Sequence, residues 1–145
     1  MLAKPKRKLN ARSLAKHDES ELTQKEYKYL FRKQKERTDA AFSKYIRARD
    51  GACVLCGSVE ALQCSHVFTK NAHGSVRWDE MNAHAMCAAC HTKHHRSDPG
   101  AYIEWMIERY GEAYFELRRR ANEYKKWTIE EMKALEAKFL EAYDA

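Results

Sequence analysis

The sequence of 145 residues predicts a mostly helical α+β domain with a zinc-stabilised core and flanking N- and C-terminal helices. Two Cys-x-x-Cys pairs lie in the middle of the chain, where small residues and histidines replace the long charged side chains found elsewhere. The segments on either side of this core carry apolar residues at helical spacing. A domain of this size has a thin core, and a bound metal commonly stabilises such folds.

Changes in composition divide the chain into four segments. We predict a basic flexible arm over 1–20, an N-terminal helical segment over 21–50, a zinc-stabilised core over 51–98 and a C-terminal helical segment over 99–145. The arm is rich in lysine and arginine, so it is either a solvated tail or a phosphate-binding extension.

The N-terminal helical segment begins with a capping box formed by Thr23 and Glu26. We expect its helix to run to about Arg49 and to end at Gly51, because glycine favours helix C-termini. Residues 32–39 are polar on every side, which predicts that this part is exposed and that the helix could break there into two.

The C-terminal segment contains three predicted helices. The first follows Pro99, a residue that suits the first turn of a helix, and ends at Gly111. A second covers about 112–123. The last begins at another capping box, which pairs Thr128 with Glu131.

The two cysteine pairs predict one structural zinc site, because two Cys-x-x-Cys turns complete a closed tetrahedron of thiolates around the ion. Its ligands would be Cys53, Cys56, Cys87 and Cys90. Buried free cysteines or a redox pair are the alternatives, but a redox motif needs one pair rather than two. The interval between the pairs must hold structure of its own, and 63–68 and 83–87 are candidate short strands. Cys64 is left over, and we interpret it as a small buried apolar residue.

The charge balance favours a polyanionic partner. The formal net charge is +6, and each phosphate that a cation neutralises releases counterions. A merely soluble basic protein is the alternative. An odd cysteine count, a basic N-terminus without an apolar signal segment and the lack of any run of about 20 apolar residues predict a cytoplasmic protein without a membrane span.

The order of a histidine, an asparagine and a histidine around the cysteine pairs resembles the HNH (ββα-metal) nuclease family. The resemblance implies that His66 is the general base, that Asn82 braces its loop through backbone hydrogen bonds, and that His91 holds a catalytic Mg²⁺ or Mn²⁺. His95 lies one helical turn further and could share that ion, with His94 as the rival ligand.

The chain departs from the HNH pattern at one position. Many members carry an acidic metal ligand directly before the base histidine, whereas this chain has Ser65 there. Serine is a poor metal ligand. His73, in the loop that follows, is a candidate replacement.

Three longer sequence segments indicate a more specific family within the HNH nucleases. Residues 42–50 lead into the first cysteine pair, 76–84 lead into the second, and 124–132 open the last helix. Together they resemble the phage NinG family of Rap-type recombination nucleases, over about 38–143. The resemblance implies a structure-specific endonuclease that cuts branched DNA, such as Holliday junctions and displacement loops, during phage recombination in the host cytoplasm. Family members often have a further cysteine-rich module near the N-terminus, where this sequence has the basic arm.

Basic residues near the predicted site are candidate DNA contacts, namely Lys44, Arg47, Arg49, Lys70 and Arg77. As a set they predict sequence-tolerant tracking of the phosphate backbone, although any one of them could simply be a solvated charge. No helix carries an obvious base-reading set of side chains, so readout of DNA shape is favoured.

Three functions are compatible with these features. The first is metal-dependent cutting of branched DNA, for which a homodimer joined through the last helix could supply two nicks. The second is a zinc-stabilised DNA-binding module without catalysis, which Ser65 favours. The third is a sequence-reading HNH restriction or mobile-element endonuclease. Nuclease assays on linear and branched DNA separate them.

Overall fold

The computed structural model describes residues 10–14 and 16–145, and in them the mostly helical α+β class is confirmed. The elements in chain order are helices α1 (Ala11–Leu14) and α2 (Gln24–Asp50), strands β1 (Gln63–His66) and β2 (Ala83–Met86), and helices α3 (Ala88–Arg96), α4 (Gly100–Tyr110), α5 (Glu112–Ala121) and α6 (Ile129–Asp144). Short 3₁₀ turns lie at Glu19–Glu21 and Gly74–Val76. None of the described helices is both long enough and apolar enough to cross a membrane.

Helix α2 begins and ends at the predicted signals. The Thr23 side chain accepts a hydrogen bond from the Glu26 amide, and the Glu26 carboxylate accepts one from the Thr23 amide at 2.9 Å. At the other end Gly51 takes the left-handed conformation, with φ of 68°, and its amide donates to the Arg47 carbonyl. Glycine adopts this conformation without strain because it has no Cβ, so the helix ends there.

The middle of α2 is unbroken and buries one face, which corrects the expectation that it is exposed on every side and could break there. Gln34 and Thr38 are buried against helix α6. The Gln34 side-chain amide donates to the Glu136 carboxylate at 2.7 Å, and the Thr38 hydroxyl donates to the Met132 carbonyl at 3.0 Å. Because these partners satisfy the polar groups, a polar stretch of helix can be buried in a helix–helix contact.

Strands β1 and β2 form an antiparallel two-stranded sheet in which His66 pairs with Ala83. Both strands lie within the predicted ranges and end earlier. Beyond the last pair, the Val67 amide still donates to the Asn82 carbonyl at 3.0 Å. The sheet therefore places His66 directly before the loop 67–82 that connects the two strands.

The helices and the sheet enclose two apolar clusters. One joins the cysteine turns to α4 and α5 and includes Met86 from β2. The other joins α2 to α6 and includes Ala83 from the same strand. Successive side chains of a strand point to opposite faces, so β2 contributes to both clusters. In the second cluster, the ring centroids of Phe42 and Phe139 are 4.9 Å apart.

Part of the predicted basic arm, residues 1–9 and 15, lies outside the described residues. Within the rest of the arm, helix α1 buries Leu14, which is only 3% exposed. The described part of the arm is therefore partly folded onto the domain.

Candidate active site and metal centre

Four cysteine sulfurs converge beside the sheet. The Sγ atoms of Cys53, Cys56, Cys87 and Cys90 all lie within 4.8 Å of one another. Cys56 Sγ and Cys87 Sγ are 3.6 Å apart, close to the edge of about 3.8 Å expected for a thiolate tetrahedron with Zn–S bonds of about 2.3 Å. The cluster can therefore hold a metal such as zinc, and its members are the four cysteines that the spacing predicted.

Local structure positions these sulfurs. The turn that carries Cys53 and Cys56 is closed by the Gly57 amide, which donates to the Cys53 carbonyl at 2.8 Å. Cys87 caps helix α3, and its sulfur accepts a hydrogen bond from the Cys90 amide at 3.5 Å. Burial opposes ionisation of Cys53, but hydrogen bonds from backbone amides outweigh it and lower the thiol pKa to about 7. This favours the thiolate form of Cys53, whereas burial and the neighbouring sulfurs raise the pKa of Cys90 to about 12, so a bound metal ion would have to stabilise that thiolate.

A cavity beside α3 brings four of the predicted site residues together. Its wall includes His66 from β1, and His91 and His95 from α3. Asp39 from α2 and Lys70 from the loop after β1 lie in the same wall. A candidate general base and two candidate metal ligands therefore share one space.

One hydrogen bond sets the orientation of the His66 ring. Its Nε2 lies 2.9 Å from the Arg77 carbonyl oxygen. A carbonyl oxygen only accepts hydrogen bonds, so Nε2 carries the proton and Nδ1 keeps its lone pair. Phe42 packs against the ring with a centroid separation of 5.8 Å. Burial is the main cause that lowers the His66 pKa to about 4, so the ring is neutral at neutral pH.

Asn82 is fully buried and binds only to backbone. Its Oδ1 accepts from the Phe68 amide at 2.9 Å, and its Nδ2 donates to the carbonyls of Phe68 at 3.0 Å and Val76 at 2.9 Å. These bonds join both ends of the segment 68–76, and the next residue, Arg77, holds the His66 ring. Asn82 is not part of the cavity wall, so it can act on His66 only through the backbone.

His91 and His95 form a close pair on one face of α3. Their Nε2 atoms are 2.9 Å apart. His91 Nδ1 donates to the side-chain oxygen of Gln63 on β1, so the Nε2 lone pair accepts a hydrogen bond from His95 Nε2 and is the group that could bind a metal in its place. Two imidazole nitrogens bound to one ion at about 2.1 Å and at right angles lie about 3.0 Å apart. The pair therefore fits a shared divalent metal.

Comparison with known proteins assigns the chain to a family. A family model described as "NinG: Bacteriophage Lambda NinG protein" matches residues 2–144. The chain belongs to the NinG family. The resemblance that the sequence blocks indicated is thus confirmed at the level of the family.

NinG-family relatives from several phages are similar to this chain. The protein ninG of Escherichia phage 933W and that of Escherichia phage lambda are each 34% identical to it over 104 residues, which cover 68% of this chain and 51% and 50% of theirs. The protein ninG of Salmonella phage P22 is 32% identical over 103 residues, 68% of this chain and 50% of its own length. The chain thus spans about half the length of these relatives. No solved structure shows a significant match to it.

The other candidate metal ligands of this NinG-family chain lie away from the cavity wall. His73 Nδ1 is 2.9 Å from the Ala121 carbonyl, to which it donates. His94 is buried edge-on against Tyr102, with ring centroids 4.9 Å apart, so it does not face water. Ser65 is fully buried, and its hydroxyl has no partner among the described residues. It alternates with His66 along β1 and therefore points to the opposite face of the strand.

Asp39 is an acidic residue in the wall of the cavity that contains His66, and sequence reasoning did not predict its position there. Its carboxylate accepts hydrogen bonds from the Arg77 guanidinium at 2.9 and 2.5 Å and from the Trp78 indole at 2.9 Å. Burial raises the pKa of the Asp39 carboxyl, but the hydrogen bonds and charge of Arg77 outweigh it and hold the pKa below its ordinary value. Asp39 lies within the polar stretch of α2, where only the tertiary fold distinguishes it from its neighbours.

Two of the candidate DNA contacts hold the domain together. Arg77 is 6% exposed and paired with Asp39. The Arg49 guanidinium donates to the carbonyl oxygens of Glu80 at 2.6 Å and Ala83 at 2.8 Å. Both guanidinium groups therefore make contacts within the protein, and contact with DNA stays a prediction for these two residues. Arg77 is buried, whereas the other four candidates are exposed: Lys44, Arg47, Arg49 and Lys70.

Proposed function

We propose that this NinG-family protein is a metal-dependent endonuclease with an HNH-type site and that it cuts branched DNA. The observation that carries the proposal is the single cavity that His66 shares with the close His91–His95 pair. Along the chain, one cysteine pair precedes His66, Asn82 follows, and the other cysteine pair directly precedes His91. This order of residues resembles that of HNH nucleases.

His66 would act as the general base. Its Nε2–H is committed to the Arg77 carbonyl, so Nδ1 would take the proton from the attacking water. The neutral ring that burial favours is the form that a base requires. A DNA phosphate beside the ring would stabilise the protonated form and so raise the His66 pKa toward neutrality during the reaction.

His91 and His95 would hold Mg²⁺ or Mn²⁺, which supplies Lewis-acid polarisation of the phosphodiester when bound. The protein orients this pair from two sides. Gln63 on β1 holds the His91 ring, and His91 directly follows Cys90 of the cysteine cluster. A zinc ion on the four cysteines would thus hold the start of α3 and, with it, the first of the two histidines.

The exposed cations would bind the DNA backbone. Lys70 lies in the cavity wall, and Lys44 and Arg47 are exposed on α2. Contacts of this kind position phosphates without reading bases. Specificity for Holliday junctions and displacement loops is part of the proposal and rests on the resemblance to Rap-type nucleases. A homodimer joined through α6 would supply the two nicks that a junction requires.

Cleavage assays on matched linear, forked and four-way DNA test this function. We expect the purified chain to cut the branched substrates in Mg²⁺ or Mn²⁺, to stop when the divalent ion is chelated, and to recover when it is returned. Zinc content is measured in parallel, so that loss of the structural ion is not mistaken for loss of the catalytic one. A zinc-loaded chain that binds these substrates and leaves them intact in both metals would contradict the proposal.

A second candidate function is a zinc-stabilised DNA-binding module without catalysis. Ser65, in place of an acidic ligand, is buried on the far face of its strand. The Asp39 carboxylate in the cavity is committed to Arg77 and Trp78. Among the described residues the cavity wall therefore holds a histidine pair without an uncommitted carboxylate. The same assays distinguish this module, which would bind DNA tightly and never cut it.

A further inference from the structure

A groove lined by lysines and aromatic side chains adjoins the active-site cavity. It runs between α2 and the segment that connects α5 to α6, and we name it the lysine–aromatic groove. Its defining residues are Phe31, Lys35, Tyr124, Lys126 and Trp127. Lys70 and Asn71 line both this groove and the cavity. A strand that leaves the cavity on this side would therefore enter the groove.

The aromatic part of the groove combines a rigid floor with an uncovered ring. The Trp127 indole donates to the Gly74 carbonyl at 2.8 Å, and the ring packs edge-on against Trp78 with centroids 5.0 Å apart. Tyr124 is 90% exposed. The Lys125 ammonium lies 4.9 Å from the centroid of the Trp127 ring, so Tyr124 supplies the open aromatic surface of the groove, on which a base could stack.

The charge of the groove is positive. No carboxylate lies in its wall among the residues that the structure describes. Lys70 is near Asp39 and Lys125 pairs with Glu131, whereas Lys35 and Lys126 have no ion-pair partner within the described part of the chain. Lysines without an ion-pair partner in the same groove as an exposed ring are features of single-strand binding, in which cations contact phosphates and aromatic rings stack on bases.

We propose that the lysine–aromatic groove binds single-stranded DNA, with an unpaired base stacked on Tyr124 and phosphates on Lys35, Lys70 and Lys126. The biological meaning of this binding rests on the proposed nuclease function, because the unpaired strand at a branch point would pass from the cavity into the groove. A linear duplex keeps its bases stacked in the helix, so it has no free base face for Tyr124. The groove would thereby favour branched over linear substrates.

Anisotropy of a labelled oligo(dT) and of a duplex of equal length tests this binding. Both are measured with the His66→Ala variant of the full chain and without added Mg²⁺ or Mn²⁺, so that nothing is cut. Adding Tyr124→Ala should weaken oligo(dT) binding about tenfold and leave duplex binding unchanged, while Tyr124→Phe should keep both. Lys126→Gln should weaken oligo(dT) binding and lower its salt dependence.

Matched controls lie on α6. Tyr143→Ala removes another exposed aromatic ring, and Lys133→Gln removes another exposed lysine. Neither should change oligo(dT) binding. The proposal is overturned if Tyr124→Ala binds oligo(dT) normally, or if it loses single-strand and duplex binding to the same extent.

These outcomes are independent of the cleavage assays. If the chain cuts no DNA but Tyr124→Ala weakens oligo(dT) binding, the single-strand groove is supported and the nuclease function is contradicted. If the chain cuts branched DNA but binds oligo(dT) equally well with or without the Tyr124 ring, the nuclease function is supported and the single-strand groove is contradicted.

Discussion

Asn82 and Phe68 are joined by a pair of hydrogen bonds, one in each direction. The Phe68 amide donates to Asn82 Oδ1 at 2.9 Å, and Asn82 Nδ2 donates to the Phe68 carbonyl at 3.0 Å. A side chain thereby takes over from the backbone ladder where β1 and β2 stop pairing. The His66 ring lies just before this point, so the pair sets the path of the chain that leaves the candidate base.

Replacement of Asn82 by alanine should destabilise the domain and slow cutting. The change leaves the Phe68 amide and the Phe68 and Val76 carbonyls without their partner, and a buried polar group that loses its hydrogen bond costs about 1–3 kcal/mol. We expect the free energy of unfolding in urea to fall by about 3 kcal/mol. Asn122→Ala is the matched control, because Asn122 is exposed and makes one bond, to the Arg118 carbonyl. Equal losses in the two variants would argue against a bracing role.

The purified chain should contain one zinc ion per molecule by elemental analysis. Cys87→Ser should lose the ion and unfold, because Cys87 is both a member of the cluster and the cap of α3, and zinc binding at such sites contributes on the order of 10–16 kcal/mol. Cys64→Ser is the control and should keep its zinc. Cys64 lies outside the cluster, and burial raises its thiol pKa to about 12, so it stays protonated. Full zinc occupancy in Cys87→Ser would remove the metal assignment.

We expect Arg77 to stabilise the fold and Arg47 to bind DNA. Arg77→Met removes the partner of the Asp39 carboxylate, and breaking such a pair costs about 3 kcal/mol or more when it is buried, so thermal and urea stability should fall. Arg47→Met removes an exposed guanidinium. It should leave stability unchanged, weaken DNA binding and reduce the slope of log K against log salt by about 1. The reverse pattern, with Arg47 needed for stability and Arg77 for binding alone, would contradict the structure.

The features that could be predicted from the sequence depend on residues close together in the chain. The capping boxes at Thr23 and Thr128 and the two Cys-x-x-Cys turns are complete within a single helical turn or loop, so no tertiary information is needed. The paired positions of His91 and His95 follow from the helical repeat alone.

The features that could not be predicted depend on partners far apart in sequence. Asp39 reaches the cavity only because α2 lies beside the loop that contains Arg77. Thr38 is buried only because α6 supplies the Met132 carbonyl. Whether Arg49 is a surface cation or a structural one depends on carbonyl groups of a distant segment. Residue type and periodicity contain no information on these partners, so the burial of Thr38 and the place of Asp39 in the cavity wall could not be predicted.

His84 should remain neutral well below its ordinary titration range. The Tyr102 hydroxyl donates to the Ser65 carbonyl at 3.1 Å, so His84 Nδ1 must donate to Tyr102, and Nε2 accepts from the Tyr110 hydroxyl, both at 2.7 Å. Burial lowers the His84 pKa from 6.5 to about 4. Between these two pH values the unfolded chain takes up a proton that the folded ring does not. The contribution of His84 to the free energy of unfolding should therefore be constant above about pH 6.5 and fall as the pH drops toward 4.

Nitrogen NMR of the imidazole rings measures both the tautomer and the titration of His84. The expected result is a ring protonated at Nδ1 alone down to about pH 5. His84→Phe should show a shallower loss of stability between pH 6.5 and 4, the range over which the pKa shift acts. A His84 signal that titrates at its ordinary value would show that the ring is not held in this network.

The role of His66 as general base is tested most directly by the single-turnover rate at which the His66→Ala variant cuts a four-way junction in Mn²⁺. We predict a fall of at least about a hundredfold relative to the unaltered chain, since general bases contribute about 10²–10⁴ in rate. Zinc content and junction binding, measured on the same preparation, should be unchanged, and His17→Ala should cut at the full rate. Cutting by His66→Ala at the unaltered rate would contradict the assignment of His66.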